Sequence, residues 1–267
     1  MKLTRPNLST PRLAAVVLCT NIVLLAATSL AAQCITISAP GTYILAADIS
    51  CPGGDAILIT SGHVTLKLNG HNVSGNPSAI HAISVNNVVI LGPGSVTNSG
   101  SSGILFEGVQ YSKVIGVNAN HNPIGIYLIA ESDGTPPAHD LLAANKANLN
   151  TTGIQADVSQ SNQFLGNECS NEGTGLYIAS GVGDLIEGNK CNSNTTGIEF
   201  TGTSETVVAN EADANVNVGI FVHNAGGNHF RYNEATSNGV DLIDGNPCMT
   251  NTWMLDAFVT SNSPCVK

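Results

Sequence analysis

The chain has 267 residues, of which 42% are hydrophobic and only 4% are aromatic, and its formal net charge at pH 7 is −10. This negative charge disfavours binding to nucleic acid and to anionic membrane surfaces. It also disfavours polyanionic glycans unless Ca²⁺ bridges the carboxylates. Ca²⁺ is the only cofactor left open, and no resident one is predicted.

Residues 1–32 are predicted to be a secretory signal peptide, with an apolar stretch at 13–27 and small residues at 29–32. The basic residues of this leader are Lys2, Arg5 and Arg12. A transmembrane anchor is the alternative, but the apolar run is short and Thr20 and Asn21 interrupt it. Cleavage would leave six basic and 19 acidic residues, a charge of 6 − 19 = −13. A secreted or periplasmic protein without a membrane segment is expected.

Residues 33–54 are predicted to form an N-terminal cap, which Cys34 and Cys51 bracket. Six cysteines remain after the leader, and this even number indicates disulfides and an oxidising compartment. We predict the pairs Cys34–Cys51 and Cys248–Cys265. Each would stabilise its end of the chain by roughly 3 kcal/mol in the chain-entropy model.

Residues 55–245 contain an internal repeat, in which a glycine precedes an apolar residue, any residue and usually a second apolar one. The repeat glycines are Gly103, Gly125, Gly153, Gly175, Gly197 and Gly219, at steps of 22, 28, 22, 22 and 22 residues. Repetition at such a period predicts a solenoid, whose units bury their apolar faces against their neighbours.

A second series of asparagines runs in phase with the glycines. Its members are Asn118, Asn145, Asn167, Asn189, Asn210 and Asn233. Asparagine suits turns, and stacked amides would bond from one turn to the next at about 1 kcal/mol each. Cys169 and Cys191 follow two of these asparagines in one column, ~5 Å apart at Cα, so a third disulfide is predicted. Two buried free thiols are the alternative.

Alternating apolar residues, as in Ile198-x-Phe200 and Ile220-x-Val222, indicate strands rather than helices. The pattern resembles the right-handed, pectin-lyase-like β-helix superfamily, and the form from Asn189 to Ile198 resembles the repeats of NosD-type proteins. The resemblance implies an all-β fold, a single right-handed parallel β-helix of about nine turns of ~22 residues. That fold hosts lyases, hydrolases, epimerases and binding proteins, so it does not imply one activity.

Two segments depart from the repeat. The 28-residue step places about six extra residues within 130–139, where solenoid insertions tend to lie on the binding face. A tolerated surface insertion is the alternative. Residues 246–267 are predicted to form a disulfide-closed C-terminal cap, in which Trp253 covers the last turn of the core.

The residue between the two apolar positions of each repeat strand should point outward. This outward column contains Leu105, Tyr127, Gln155, Tyr177, Glu199 and Phe221. Its three aromatic rings could stack on sugars, with Gln155 and Glu199 as polar partners, although β-propensity alone also places aromatics in strands. The predicted ligand-binding residues are therefore Tyr127, Tyr177, Phe221, Glu199 and Gln155.

The next outward column adds Glu107, Asp157 and His223. Asp157 and Glu199 would lie ~9 to 10 Å apart at Cα, so an inverting pair of glycosidase carboxylates is conceivable, with His223 as a base. The simpler interpretation is that Asp157, Glu199 and His223 are polar surface residues without a catalytic role. The catalytic strings G-H-G, R-I-K and D-P-x-D of related enzymes are missing, and no metal site is predicted.

We therefore expect a monomer that binds a polysaccharide or glycan surface and no nucleic acid. Two alternatives stay open. One is a polysaccharide lyase, hydrolase or epimerase of an unrecognised type, and the other is a structural or adhesive surface module. Convergent carboxylates in a cleft would favour the enzyme, whereas a flat face would favour binding.

Overall fold

The computed structural model describes residues 22–25 and 34–266, and these ranges form 26 strands, numbered β1 to β26 along the chain. Every strand pair in them is parallel. The same ranges contain no helix long and apolar enough to cross a membrane. The predicted signal peptide lies outside the described residues, apart from 22–25.

One sheet contains ten strands and is called the long-strand sheet, because its members from β8 onward have five or six residues. Its strands are β2 (Ile35–Ile37), β5 (Ile57–Ile59), β8 (Ser78–Ile83), β11 (Ser102–Glu107), β13 (Ile124–Ile129), β15 (Thr152–Asp157), β17 (Thr174–Ala179), β19 (Thr196–Phe200), β21 (Val218–Val222) and β24 (Val240–Asp244). The solenoid thus has about ten turns, close to the nine estimated from length.

A second sheet contains eleven strands, called the short-strand sheet. Its strands are β1 (Ile22–Leu25), β3 (Gly41–Leu45), β6 (Val64–Lys67), β9 (Val89–Leu91), β12 (Lys113–Ile115), β14 (Leu141–Ala143), β16 (Gln163–Leu165), β18 (Leu185–Glu187), β20 (Thr206–Val208), β22 (His229–Arg231) and β25 (Thr252–Met254). Most of these strands have only three residues, because a turn lies at each end of the strand.

A third sheet completes each turn and is the most fragmentary of the three. Its strands are β4 (Ile49–Cys51), β7 (Asn72–Gly75), β10 (Ser95–Val96), β23 (Glu234–Ala235) and β26 (Ala257–Phe258). Single parallel bridges connect these groups through Asn118, Lys146, Glu168, Lys190 and Glu211. Each turn therefore passes through three faces, and equivalent residues stack in columns parallel to the axis.

The core fills the space between the sheets with inward columns of apolar side chains. In β17, Leu176 and Ile178 are fully buried, while Tyr177 between them is half-buried and faces outward. At the C-terminal end, the Phe230 ring stacks on Trp253, with centroids 3.9 Å apart. Trp253 is only 7% exposed, so its ring covers the apolar column there.

The glycine column marks a place where successive turns approach too closely for a side chain. A Cβ added to Gly175 would lie 2.7 Å from the Gly197 carbonyl oxygen and 2.8 Å from that of Cys169. The glycine spacing therefore records a backbone contact that repeats in the turns from Gly103 to Gly219.

The asparagine ladder is real but begins one turn later than predicted. From Asn145 to Asn233, each side-chain Nδ2 donates to the Oδ1 of the next ladder residue at 3.0 Å. Asn118 is not a member, because it is exposed and stacks on Lys146, while buried Val117 occupies the ladder position. Val117 still donates its backbone N–H to Asn145 Oδ1 at 3.0 Å.

A further buried polar column mixes carboxyl, amide and hydroxyl side chains, each of which accepts a backbone N–H from the preceding turn. Its members are Ser112, Asp140, Asn162, Asp184, Glu205, Asn228 and Asn251. Burial raises the pKa of Asp140 to about 8, of Asp184 to about 6 and of Glu205 to about 9. At neutral pH these values keep Asp140 and Glu205 largely protonated within the hydrogen-bonded ladder.

Two of the three predicted disulfides are present. Cys34–Cys51 and Cys248–Cys265 join residues whose Cα atoms lie 5.2 and 5.5 Å apart. The predicted Cys169–Cys191 disulfide is wrong for this structure, since both are buried free thiols. Residues stacked in register have parallel Cα–Cβ bonds, so their Cβ atoms stay ~4.8 Å apart, beyond the ~3.5 to 4.5 Å of a disulfide.

Candidate functional site

The predicted outward column exists on the long-strand sheet. Tyr127 pairs with Gln155, Gln155 with Tyr177, Tyr177 with Glu199, and Glu199 with Phe221. All five side chains are half-buried. They form one continuous strip, called the long-strand face, with an aromatic ring at every second turn.

Asp157 holds the first ring of this face in place. The Tyr127 hydroxyl donates to Asp157 Oδ2 at 2.5 Å, and Gln155 Nε2 lies 3.1 and 3.0 Å from the two carboxylate oxygens. Burial, followed by the hydrogen bond to Asp157, raises the pKa of Tyr127 well above its usual value. Tyr127 therefore stays a neutral donor, and the Asp157 carboxylate stays an acceptor that faces solvent.

A second cluster forms three turns further along. His223 Nε2 lies 3.0 Å from Glu199 Oε1, and the imidazole stacks on the Phe221 ring with centroids 4.5 Å apart. The contact orients both the carboxylate and the aromatic ring. His223 is thus a partner of Glu199 rather than an isolated surface histidine.

Tyr177 lies between these two clusters. Burial raises its pKa, and the Glu199 and Asp157 carboxylates raise it further. Two carboxylates therefore lie near the ring, Glu199 in the next turn of the same column and Asp157 in the preceding turn of the adjacent column.

A third cluster on the same face was not predicted. His81 stacks in the outward column next to Leu105, and its Nδ1 and Nε2 lie 2.8 Å from Asp55 Oδ2 and 3.2 Å from Glu107 Oε2. The Asp55 side chain also accepts the Ser78 backbone N–H at 3.0 Å. The turn of His81 lacks the Gly-apolar-x-apolar signature, but counting back 24 residues from Leu105 would have found it.

The extra residues in 130–139 adjoin this face. Glu131 lies against Gly108, directly after Glu107, since a Cβ added to that glycine would be 2.8 Å from Glu131 Cβ. Pro136 and the exposed Val158 and Val182 line a groove of about 210 Å³ at the edge of the face. The insertion therefore forms one wall of the surface where the aromatic column begins.

The three catalytic candidates share this face but do not converge in a cleft. Asp157 is bound by Tyr127 and Gln155, and Glu199 is bound by His223. Their positions are two turns apart, about 9 to 10 Å at Cα. Within 22–25 and 34–266, no cluster of three or more His, Cys, Asp or Glu residues could hold a metal ion.

Comparison with known proteins identifies the architecture. Residues 139–263 match the family described as a right-handed β-helix region. Among solved structures, pectate lyase Pel9A has a TM-score of 0.68 at 13% identity, covering 84% of this chain and 70% of its own. A variant of the periplasmic alginate epimerase AlgG has a TM-score of 0.64 at 12% identity, and the match covers 89% of this chain and 77% of the epimerase.

The A-module of the Azotobacter vinelandii mannuronan C-5 epimerase AlgE4 has a TM-score of 0.57 at 10% identity, covering 91% of this chain and 86% of its own. No curated protein matches the chain. Identities this low establish a shared fold and carry no site residues across.

Proposed function

We propose that this chain, a right-handed parallel β-helix of the pectin-lyase-like fold, binds carbohydrate on its long-strand face. The observation that carries the proposal is the alignment of Tyr127, Tyr177 and Phe221 in one solvent-facing column, each beside a carboxylate or imidazole. Rings spaced about 9 to 10 Å apart can stack on separate sugar units of one chain. The carboxylates between them can accept hydrogen bonds from sugar hydroxyls.

Two further facts support this assignment. Pectate lyase and alginate epimerase, which share the fold, are named for polysaccharides. The end disulfides suit an oxidising compartment. We therefore propose a secreted or periplasmic monomer, with residues 1–32 as leader, 33–54 and 246–267 as end caps, and 55–245 as the binding solenoid.

The charge of the face restricts the glycan. Asp55, Glu107, Asp157 and Glu199 lie along it, so an anionic polysaccharide would be repelled. Neutral glycans should bind without metal, and anionic ones should require Ca²⁺ to bridge the two sets of carboxylates.

Hydrolysis, lysis or epimerisation of a polysaccharide is the second candidate function. It rests on Asp157 and Glu199, whose side chains lie on the same outward face of the long-strand sheet. Both carboxylates are held by neighbouring side chains rather than lying opposite each other across a cleft. Binding therefore explains the geometry better.

Tyr177→Ala tests the proposal. Loss of the central ring should weaken glycan binding by roughly 1 to 2 kcal/mol, about five- to thirtyfold, and should leave the melting temperature nearly unchanged. A glycan array with the mature protein selects the ligand, and calorimetry measures the affinity. Tyr232→Ala, at an exposed tyrosine after β22, is the matched control.

The proposal fails if Tyr177→Ala lowers the melting temperature by several degrees and leaves binding intact. It also fails if the control variant weakens binding as much as Tyr177→Ala does.

A further inference from the structure

The three sheets carry different charges. All five lysines and arginines in the described part of the chain lie on the short-strand and third sheets: Lys67, Lys113, Lys146, Lys190 and Arg231. On the third sheet, Lys146 and Lys190 are paired with Glu168 and Glu211. The long-strand face thus has no permanent cation within 22–25 and 34–266.

The titratable groups on that face are carboxylates, tyrosines and two histidines. Each histidine contacts a carboxylate: His81 lies between Asp55 and Glu107, and His223 lies beside Glu199. Glu131 adds a further carboxylate from the insertion. The carboxylates outnumber the imidazoles, so the face stays negative even when both histidines are charged.

The geometry around Tyr177 combines two features that attract a cation. The Tyr177 ring is half-buried on the outward side of its strand, Glu199 pairs with it in the next turn, and Asp157 lies in the preceding turn, two residues further along its strand. An ammonium group near such a ring gains cation–π attraction and charge-assisted hydrogen bonds to the carboxylates. Each carboxylate oxygen has two lone pairs. Asp157, which is bound by Tyr127 and Gln155, and Glu199, which is bound by His223, can therefore each accept further hydrogen bonds.

We propose that the long-strand face takes a cationic amino-sugar polymer, a glycan whose units carry free primary amines. This inference rests on the proposed function and adds the chemical class of the ligand. The rings stack on the sugars, while the flanking carboxylates bind the ammonium groups. A neutral glycan can use only the rings and the hydroxyl contacts.

The test compares two ligands that differ only in the amine. The probes are the hexamer of β-1,4-linked glucosamine and its fully N-acetylated counterpart, with binding measured by calorimetry at about pH 6, where exposed carboxylates are ionised. We expect the amine form to bind about tenfold tighter or more. That preference should shrink as salt is added, because screening weakens exposed charge pairs.

Variants that remove one carboxylate charge test which residues cause the preference for the amine hexamer. Asp157→Asn and Glu199→Gln should each weaken binding of the amine hexamer about fivefold, as expected for an exposed ion pair of about 1 kcal/mol. Each should weaken binding of the acetylated hexamer less, so that the preference for the amine form falls, because the amide that replaces the carboxylate keeps an oxygen that accepts from sugar hydroxyls but loses the charge. Glu187→Gln, an exposed carboxylate on the short-strand sheet, is the matched control and should change neither.

Equal affinity for the two hexamers would overturn this inference and leave the glycan site standing. Binding of neither hexamer would also overturn it, whereas the glycan site itself would be overturned only if no carbohydrate on the array bound. A lysine hexamer that binds as tightly as the glucosamine hexamer would also overturn it, because attraction to any polycation is not recognition of a sugar.

Discussion

Asn189 shows how much one ladder side chain connects. Its Oδ1 accepts the backbone N–H and the Nδ2 of Asn167, at 2.9 and 3.0 Å. Its own Nδ2 donates to Phe164 O and to Asn210 Oδ1, at 2.8 and 3.0 Å. The residue is 1% exposed, so water cannot replace these partners. One amide therefore bonds to the turn before it and to the turn after it, and so links three successive turns.

We predict that Asn189→Leu lowers the free energy of unfolding by about 1 to 3 kcal/mol, because buried groups of Asn167 and Phe164 lose their partner. Urea unfolding measures the loss. Asn118→Leu is the control, since Asn118 is exposed and outside the ladder, and it should change stability by less than about 0.5 kcal/mol. Equal effects of the two variants would contradict the ladder.

At this scale the sequence predicted residue types better than exact positions. Asn145 to Asn233 were identified by spacing, but Asn118 was included because a one-residue shift in register leaves its spacing nearly intact. The column of Asp140, Asp184 and Glu205 was missed because it mixes carboxyl, amide and hydroxyl groups. Their common function, accepting a backbone N–H, is invisible to a search by residue identity.

The turn is the next scale, and there the repeat predicted most of the candidate site. The Gly-apolar-x-apolar pattern placed Tyr127, Gln155, Tyr177, Glu199 and Phe221 in one outward column, and strand pairing confirms that column. What could not be predicted is how side chains in adjacent columns pair. Contacts such as Tyr127–Asp157 and His223–Glu199 depend on rotamers.

We predict that the cysteines at the two ends of the solenoid form disulfides and that the two in the middle are free thiols. Mass mapping of non-reduced peptides should find Cys34–Cys51 and Cys248–Cys265 linked. Cys169 and Cys191 should be alkylated only after unfolding, because both are buried and the neighbouring Cys191 thiol, followed by burial, raises the pKa of Cys169. A linked Cys169–Cys191 peptide from the native protein would contradict the in-register stacking of their Cβ atoms.

Across the whole molecule, buried carboxyl groups are a general feature of the stack. Besides Asp140, Asp184 and Glu205, burial raises the pKa of Glu172 to about 11. In the unfolded chain all four would titrate near 4. The folded state therefore binds more protons than the unfolded state over a wide range of pH.

The linkage has a definite sign. Because the folded pKa values are raised, the stability that these groups contribute is fully present below about pH 4 and is lost as pH rises through about 6 to 9 for Asp184, Asp140 and Glu205. We predict that the free energy of unfolding falls between pH 5 and 9, by up to about 1.4 kcal/mol per pH unit for each carboxyl that remains protonated, and that the melting temperature falls with it.

The double variant Asp184→Asn, Glu205→Gln should reduce this dependence, because amides keep the acceptor oxygen and do not ionise, while Asp140 and Glu172 still contribute. Glu187→Gln changes an exposed carboxylate and should leave the slope as in the parent protein. An unchanged slope in the double variant would show that these two side chains are ionised in the folded state.

The aromatic rings recur at every second turn, with Gln155 and Glu199 in the turns between them. Because each turn contacts only its neighbours, such a chain can grow by tandem duplication within its gene. Duplicating one turn would break the alternation, because two aromatic or two polar residues would then lie next to each other in the column. Duplicating a pair, the 44 residues from Tyr177 to Ile220, would add one ring and its polar neighbours in step. A change in length that preserves the spacing of the rings must therefore add or remove two turns at a time.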